Sequence, residues 1–160
     1  MKPQKEITSI TLKTGIDYDY PVDAVIGSFD RDSKSDLSIN HWRRGGNPHD
    51  TCEWFNPANT ETKADAERDY LLVMEICNNR KFFTRVQVTA KINIKVGGLW
   101  LNSNVASDLY DGILNNDHEG IEEAKKDATS DATNLLLEAG FSQAQINAAM
   151  KKMEEEEWGG

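Results

Sequence analysis

One stretch, residues 81–96 with the sequence KFFTRVQVTAKINIKV, constrains the fold of this chain more than any other. From Arg85 to Val96, polar and apolar side chains alternate along the chain. This period of two is typical of a strand with one buried and one exposed face. The exposed face carries three basic residues, Arg85, Lys91 and Lys95. We therefore expect a long strand whose apolar face is covered by the rest of the chain and whose other face is polar and basic.

The flanking segments predict partners for this strand. Residues 6–13 are typical of an N-terminal strand, and Gly97-Gly98 predicts a tight hairpin leading to a return strand over 99–104. Apolar residues at helical spacing predict about three to four helices around this sheet. We therefore expect an α+β fold with a small antiparallel sheet packed by helices, as one domain over 1–160. Within it, residues 16–59 are rich in Gly, Pro, Asp, Asn and Ser and predict a long irregular loop.

The helix predicted after Thr60 or Thr62 leads directly into the long strand and should lie across its apolar face. Residues 107–160 are predicted to form an acidic helical part, beginning with a short helical segment after Ser107. Its main helix has an apolar stripe of Ile121, Ala124, Ala128, Ala132, Leu135 and Ala139. A last helix begins with the capping-box pattern of Ser142 and Gln145 and runs on into the glutamates at 154–157.

The negative charge of this chain is concentrated in one third of it. The formal net charge is −9, and residues 107–160 hold 13 acidic side chains against 4 lysines, so residues 1–106 are neutral. Such a field repels nucleic acid and attracts basic protein surfaces, although an acidic helix face also simply favours solubility. The candidate partner-binding residues are Asp117, Glu119, Glu122, Glu123, Asp127, Asp131, Glu154, Glu155, Glu156 and Glu157.

Two alternatives involve the loop before the first helix. Trp42, Arg43 and Arg44, together with Arg85, Lys91 and Lys95 on the strand, could hold a nucleic-acid backbone in the manner of single-stranded-DNA-binding modules. Internal pairing of these bases with acidic helices is the competing interpretation, and the lack of a basic surplus favours it.

The other alternative is a metal-binding enzyme built on His41, His49 and Cys52. A structural zinc site needs about four ligands, and the fourth would have to come from Asp50, Cys77 or His118. This shortfall favours ordinary loop residues, so we expect no metal and no cofactor. Because no phosphate-binding or dinucleotide motif and no nucleophile beside a histidine is present, we expect a protein that is not an enzyme.

The order of features from Ala66 to Phe141 resembles a set of small bacteriophage accessory proteins. The shared features are a helix, a long strand, a Leu-Trp segment at Leu99-Trp100, and an acidic helix closing on Gly140-Phe141. Where those proteins carry Gly-Ile-Glu after the tryptophan, this chain has Leu101-Asn102-Ser103. The resemblance implies a phage or prophage origin and transfers no catalytic residue.

These observations lead to one expected function. We expect a phage-encoded anti-defence or accessory protein that acts as an acidic nucleic-acid mimic and inhibits a host protein with a basic surface. Candidate partners are a nuclease, a restriction or CRISPR-type effector, or a replication protein. The expected location is the host cytoplasm, because the start of the chain lacks a hydrophobic leader and no apolar run reaches the roughly 20 residues of a membrane span. Exposed apolar residues on the last helix could support a homodimer.

Overall fold

The computed structural model describes residues 4–45 and 51–158. The strands are β1 (Gln4–Ile16), β2 (Gly27–Asp30), β3 (Ile39–Asn40), β4 (Trp54–Pro57), β5 (Phe83–Val96), β6 (Leu99–Ala106), β7 (Tyr110–Leu114) and β8 (Glu154–Glu157). The helices are α1 (Val22–Val25), α2 (Lys63–Cys77), α3 (His118–Glu138) and α4 (Gln143–Lys151), with a 3-10 turn at Trp42–Arg44. The predicted α+β class is confirmed, with sheets of five and three strands.

The described residues divide into two compact units. The first, called here the sheet unit, combines residues 4–18 with residues 83–158. The second, called here the central unit, consists of the described residues between 19 and 82. The expectation that residues 1–160 behave as a single domain stays a prediction.

Strand β5, the long strand predicted from the alternation, lies at the centre of the sheet unit. It pairs antiparallel with β1 on one side. On its other side it pairs with β6 along residues 89–96 and with β7 along residues 83–86. The predicted hairpin forms at Gly97 and Gly98, which both have positive φ angles, 57° and 85°, as a tight two-residue turn requires.

Helices α3 and α4 cover one face of this sheet. Ala124, Ala128 and Ala132 repeat every four residues along α3, and their short side chains let the helix backbone approach the sheet closely. They pack with the alternate buried residues of β5, among which Val88 and Ala90 have no exposed surface. The expectation that the helix before β5 covers this face is wrong, because α2 packs in the central unit on β2, β3 and β4.

Two predicted helical segments are strands. Residues 110–114 form β7 instead of the short helix predicted after Ser107, because this segment pairs with the start of β5, where Tyr110 lies opposite Val86. The glutamates at 154–157 form β8, parallel to β1, instead of continuing the last helix. The backbone N–H of Trp158 also donates to Thr14 (2.8 Å), so hydrogen bonds to β1 override the weak strand propensity of glutamate.

The central unit corrects the expectation of one long irregular loop over 16–59. Its strands form a small sheet in the order β2-β4-β3, against which α2 packs. Aromatic rings of Phe29, His41, Phe55 and Tyr70 cluster in its interior, with ring centroids 4.8–6.3 Å apart. These rings come from four different segments. The strands of the central unit therefore depend on tertiary packing that local sequence patterns do not predict.

Candidate binding surfaces

A row of carboxylates runs along one flank of α3. Glu119, Glu123, Asp127 and Asp131 repeat every four residues, which places them on one side of the helix at intervals of about 6 Å. The first three are exposed, and among the described residues none of them forms an ion pair with a lysine or arginine. We call these four residues the α3 acidic row.

Strand β7 lies beside this row and adds to it. The hydroxyl of Tyr110 donates a hydrogen bond of 2.5 Å to the Asp131 carboxylate. This hydrogen bond, together with the partial burial of the phenol and the neighbouring carboxylates, raises the pKa of Tyr110 to about 12. Glu123 and Asp127 line a shallow concave surface with Tyr110 and Asp111. The row therefore belongs to a wider negative surface that extends onto β7.

The remaining predicted carboxylates lie elsewhere on the sheet unit. Glu122 forms an ion pair with Lys125 (3.2 Å), and the same lysine lies 4.0 Å from Glu155 of β8. The side chain of Asp117 caps α3 by accepting from the backbone N–H of Gly120 (3.0 Å). These three acids are therefore partly committed to contacts within the unit, unlike the exposed members of the row.

The four glutamates of β8 do not point in one direction. Successive residues of a strand project to opposite faces, so Glu154 and Glu156 share one face and Glu155 and Glu157 the other. Because β8 is the last strand on its side of the sheet, it presents a strand edge bordered by exposed acids. The ten predicted partner-binding residues thus form two groups instead of one continuous stripe.

The face of the sheet opposite α3 and α4 holds the predicted basic residues of β5. Arg85, Lys91 and Lys95 alternate with the buried residues of this strand and therefore share its other face, called here the uncovered face because neither α3 nor α4 of the sheet unit packs on it. The Arg85 guanidinium lies 4.4 Å from the ring centre of Trp158, and the Lys95 ammonium lies 5.8 Å from that of Trp100. Two of the three cations are thus already in contact with aromatic rings, one on the neighbouring strand β6 and one directly after β8.

The other predicted basic residues belong to the central unit. Arg44 makes a bidentate ion pair with Glu67 of α2, which raises the pKa of Arg44 and lowers that of Glu67. Its guanidinium also lies 5.2 Å from the Tyr70 ring centre. Trp42 is 41% exposed and Arg43 is exposed. Arg44 is therefore occupied within its unit, by a glutamate of α2 and not by an acid of residues 107–160, so the expected pairing of these bases with the acidic helices stays a prediction.

The residues considered for a metal site have other surroundings. Nδ1 of the buried His41 lies 2.9 Å from the Tyr70 hydroxyl, within the aromatic cluster. His49 and Asp50 lie outside the described residues. In the part of the chain that the structure describes, no three His, Cys, Asp or Glu side chains are grouped to hold a metal ion.

Sequence patterns did not place Tyr110 beside the α3 acidic row, or Lys13 and Trp158 on the face of the basic residues of β5. Lys13 lies opposite Gln87 on the uncovered face, and Trp158 is positioned by its backbone bond to β1. Both placements depend on strand register between distant segments. The sequence predicts a helix for the segment that contains Tyr110, whereas its position beside Asp131 depends on the pairing of β7 with β5.

Comparisons with protein-family models, with curated proteins and with solved structures found no match to this chain. Among the described residues, none of the helices combines the length and apolar character needed to cross a bilayer.

Proposed function

We propose that this protein is a non-enzymatic binding protein that recognises a basic macromolecular surface through the α3 acidic row. The observation that supports this most is the regular spacing of Glu119, Glu123 and Asp127 on an exposed helix flank without ion pairs to described lysines or arginines. A basic partner would gain attraction from these carboxylates without breaking existing pairs. Because the helix backbone already holds these residues in fixed positions, binding would cost only the conformational entropy of ordering their own side chains.

The narrower part of the proposal concerns the partner. We propose a host nucleic-acid-handling or defence protein, with the row occupying the groove in which that protein holds nucleic acid. The intervals of about 6 Å between carboxylates would serve as a phosphate-like series of charges. This part, like the phage origin, rests on the resemblance of residues 66–141 to phage accessory proteins.

The test compares two variants with equal changes in net charge. Glu123→Gln with Asp127→Asn removes two charges from the row, and Glu61→Gln with Asp36→Asn removes two exposed charges from the central unit. Full-length proteins would be added to a panel of restriction nucleases and CRISPR-type effectors cutting a labelled DNA duplex. We expect inhibition of a panel member by the wild type, roughly tenfold weaker inhibition by the row variant, and no change for the control.

Two results would count against the proposal. Equal weakening by both variants would mean that net charge alone matters, and the row would then have no specific role. A gel shift of the labelled duplex by this protein in the absence of enzyme would mean that the protein sequesters the DNA instead of occupying the partner's groove.

The uncovered sheet face favours a second candidate function, the binding of single-stranded nucleic acid. Arg85, Lys91 and Lys95 share that face with Trp100 and Trp158, and aromatic rings beside cations can stack bases. Titration with a labelled oligonucleotide tests this candidate. Binding at moderate salt that is lost in Lys91→Gln and retained in the row variant would favour it over the acidic surface.

A further inference from the structure

The outer edge of β6 differs from the other edge of the sheet in chemistry. Residues 99–106, LWLNSNVA, include no charged residue and no proline, in a chain of which 28% is charged. Leu99, Trp100 and Leu101 are 70%, 46% and 55% exposed. Long, uncharged and exposed strand edges pair readily with another strand, and proteins usually protect them with charge or proline.

The backbone of β6 offers regularly spaced hydrogen-bonding groups at this edge. The N–H of Ser107 donates to the carbonyl of Val88 (2.8 Å), and the register continues from this pair along β6. Antiparallel pairs alternate, so residues 101, 103 and 105 bond to β5, and the even-numbered residues direct their N–H and C=O outward. These are Trp100, Asn102, Asn104 and Ala106. Among the described residues, β6 pairs with no strand other than β5.

We propose that β6 pairs antiparallel with β6 of a second copy of this chain, about a two-fold axis at Ser103. This register places Trp100 opposite Ala106 of the other copy and Asn102 opposite Asn104, so all four outward-directed residues find hydrogen-bonding partners. On the side of α3, Leu101 faces Val105 and Ser103 faces itself. Apolar residues thus meet apolar residues and amides meet amides, which is the self-complementarity that a two-fold interface needs.

The opposite edge of the sheet, formed by β8, explains why association through β6 stops at a dimer. Strand β8 ends the sheet there with exposed glutamates at 154–157. Exposed charges on an edge discourage the addition of strands, so head-to-tail growth through both edges is blocked. Pairing through β6 alone closes after two copies. This proposal is independent of the proposed function, because the α3 acidic row takes no part in it.

Substitution of Ser103 tests both the pairing and its register. Ser103 bonds to β5, so two Ser103 residues on the axis form a non-hydrogen-bonded pair with Cα atoms about 4.5 Å apart. Ser103→Lys and Ser103→Glu each place two like charges together and should weaken dimerisation by about fivefold or more. An equimolar mixture of the two variants places lysine opposite glutamate and should restore the dimer.

The measurement is sedimentation equilibrium of the full-length proteins over a range of concentrations. Circular dichroism of each variant shows whether the fold is intact, and Asn147→Lys with Asn147→Glu, on the exposed face of α4, provide the matched control pair. In the wild type, hydrogen exchange at the amides of Trp100, Asn102 and Asn104 should slow as concentration rises. This readout needs no variant.

Three results would overturn the proposal. The first is a wild type that stays monomeric up to its solubility limit. The second is a dimer that neither Ser103 variant weakens, which would place the contact elsewhere. The third is a pair of weakened variants whose mixture fails to associate, which would exclude a two-fold axis at Ser103.

Discussion

At the scale of single residues, Tyr110 and Asp131 connect the acidic surface to the framework of the sheet unit. The tyrosine hydroxyl donates to the carboxylate, which lies next to the exposed members of the α3 acidic row. A neutral phenol beside several carboxylates is stabilised as a donor, because ionisation would replace the hydrogen bond with repulsion between like charges. The hydrogen bond therefore fixes the position of the Asp131 carboxylate, which is the last of the four in the α3 acidic row.

Asp131→Asn should lower the pKa of Tyr110 from about 12 toward the ordinary value of 10.0. Because the folded-state pKa lies above the unfolded value, the contribution of this pair to stability is fully present below pH 10 and is lost as the pH rises through 12. The stability difference between wild type and variant should therefore narrow in that window. Titration of the Tyr110 ring signals by NMR measures the pKa directly.

Asp127→Asn is the matched control for this prediction. Asp127 acts on Tyr110 through space, whereas Asp131 also accepts its hydrogen bond, so the control should lower the pKa of Tyr110 less. An equal shift in both variants would contradict the hydrogen bond as the main cause.

At the scale of secondary-structure elements, the face that α3 buries follows a spacing of four residues. Ala124, Ala128, Ala132 and Leu136 lie against the sheet, and Leu136 has no exposed surface. Leu135, which the predicted stripe included, is 38% exposed. Spacings of three and four are both compatible with a helix, so the stripe alone did not distinguish the two leucines.

Leu136→Ala should lower the free energy of unfolding by about 2–5 kcal/mol, because it leaves a cavity between α3 and the sheet. Leu135→Ala makes the same chemical change one residue earlier and should cost much less, since its side chain is partly in water. Urea denaturation of the two variants provides the comparison. Similar losses of unfolding free energy for both variants would mean that α3 presents a different face to the sheet.

At the scale of the whole molecule, the excess negative charge and the uncharged strand β6 belong to different segments of the chain. The excess negative charge lies in residues 107–160, whereas the uncharged edge of β6 lies before them in the chain. Recognition of a basic partner depends on attraction between unlike charges, and pairing of two copies must overcome repulsion between chains of net charge −9. The two proposed interactions should therefore respond to salt in opposite ways.

Raising salt from about 50 to about 500 mM should weaken inhibition of a basic partner and strengthen self-association, since the Debye length falls from more than 10 Å to a few ångströms. Inhibition assays and sedimentation at matched salt concentrations measure the two trends in one preparation. Partner binding that is unaffected by salt would contradict an electrostatic mechanism. Self-association that weakens with salt would mean that ion pairs, and not an uncharged strand edge, join the two copies.

Elements whose signals are local could be predicted from the amino-acid sequence alone. The alternation over 81–96 identified β5, the glycine pair identified its hairpin, and capping residues identified the starts of α2 and α4. Each of these features depends on neighbours within a few residues, so local sequence patterns are sufficient to predict it. The concentration of acids on α3 was visible for the same reason.

Features that depend on contacts between distant segments became visible only in the folded chain. Residues 110–114 and 154–157 became strands because β5 and β1 offered backbone partners, and the small sheet of the central unit formed around an aromatic cluster from four segments. The same is true of Tyr110 beside Asp131 and of the open edge of β6. Strand pairing satisfies backbone groups whatever the local propensity, so these placements could not be predicted from spacing alone.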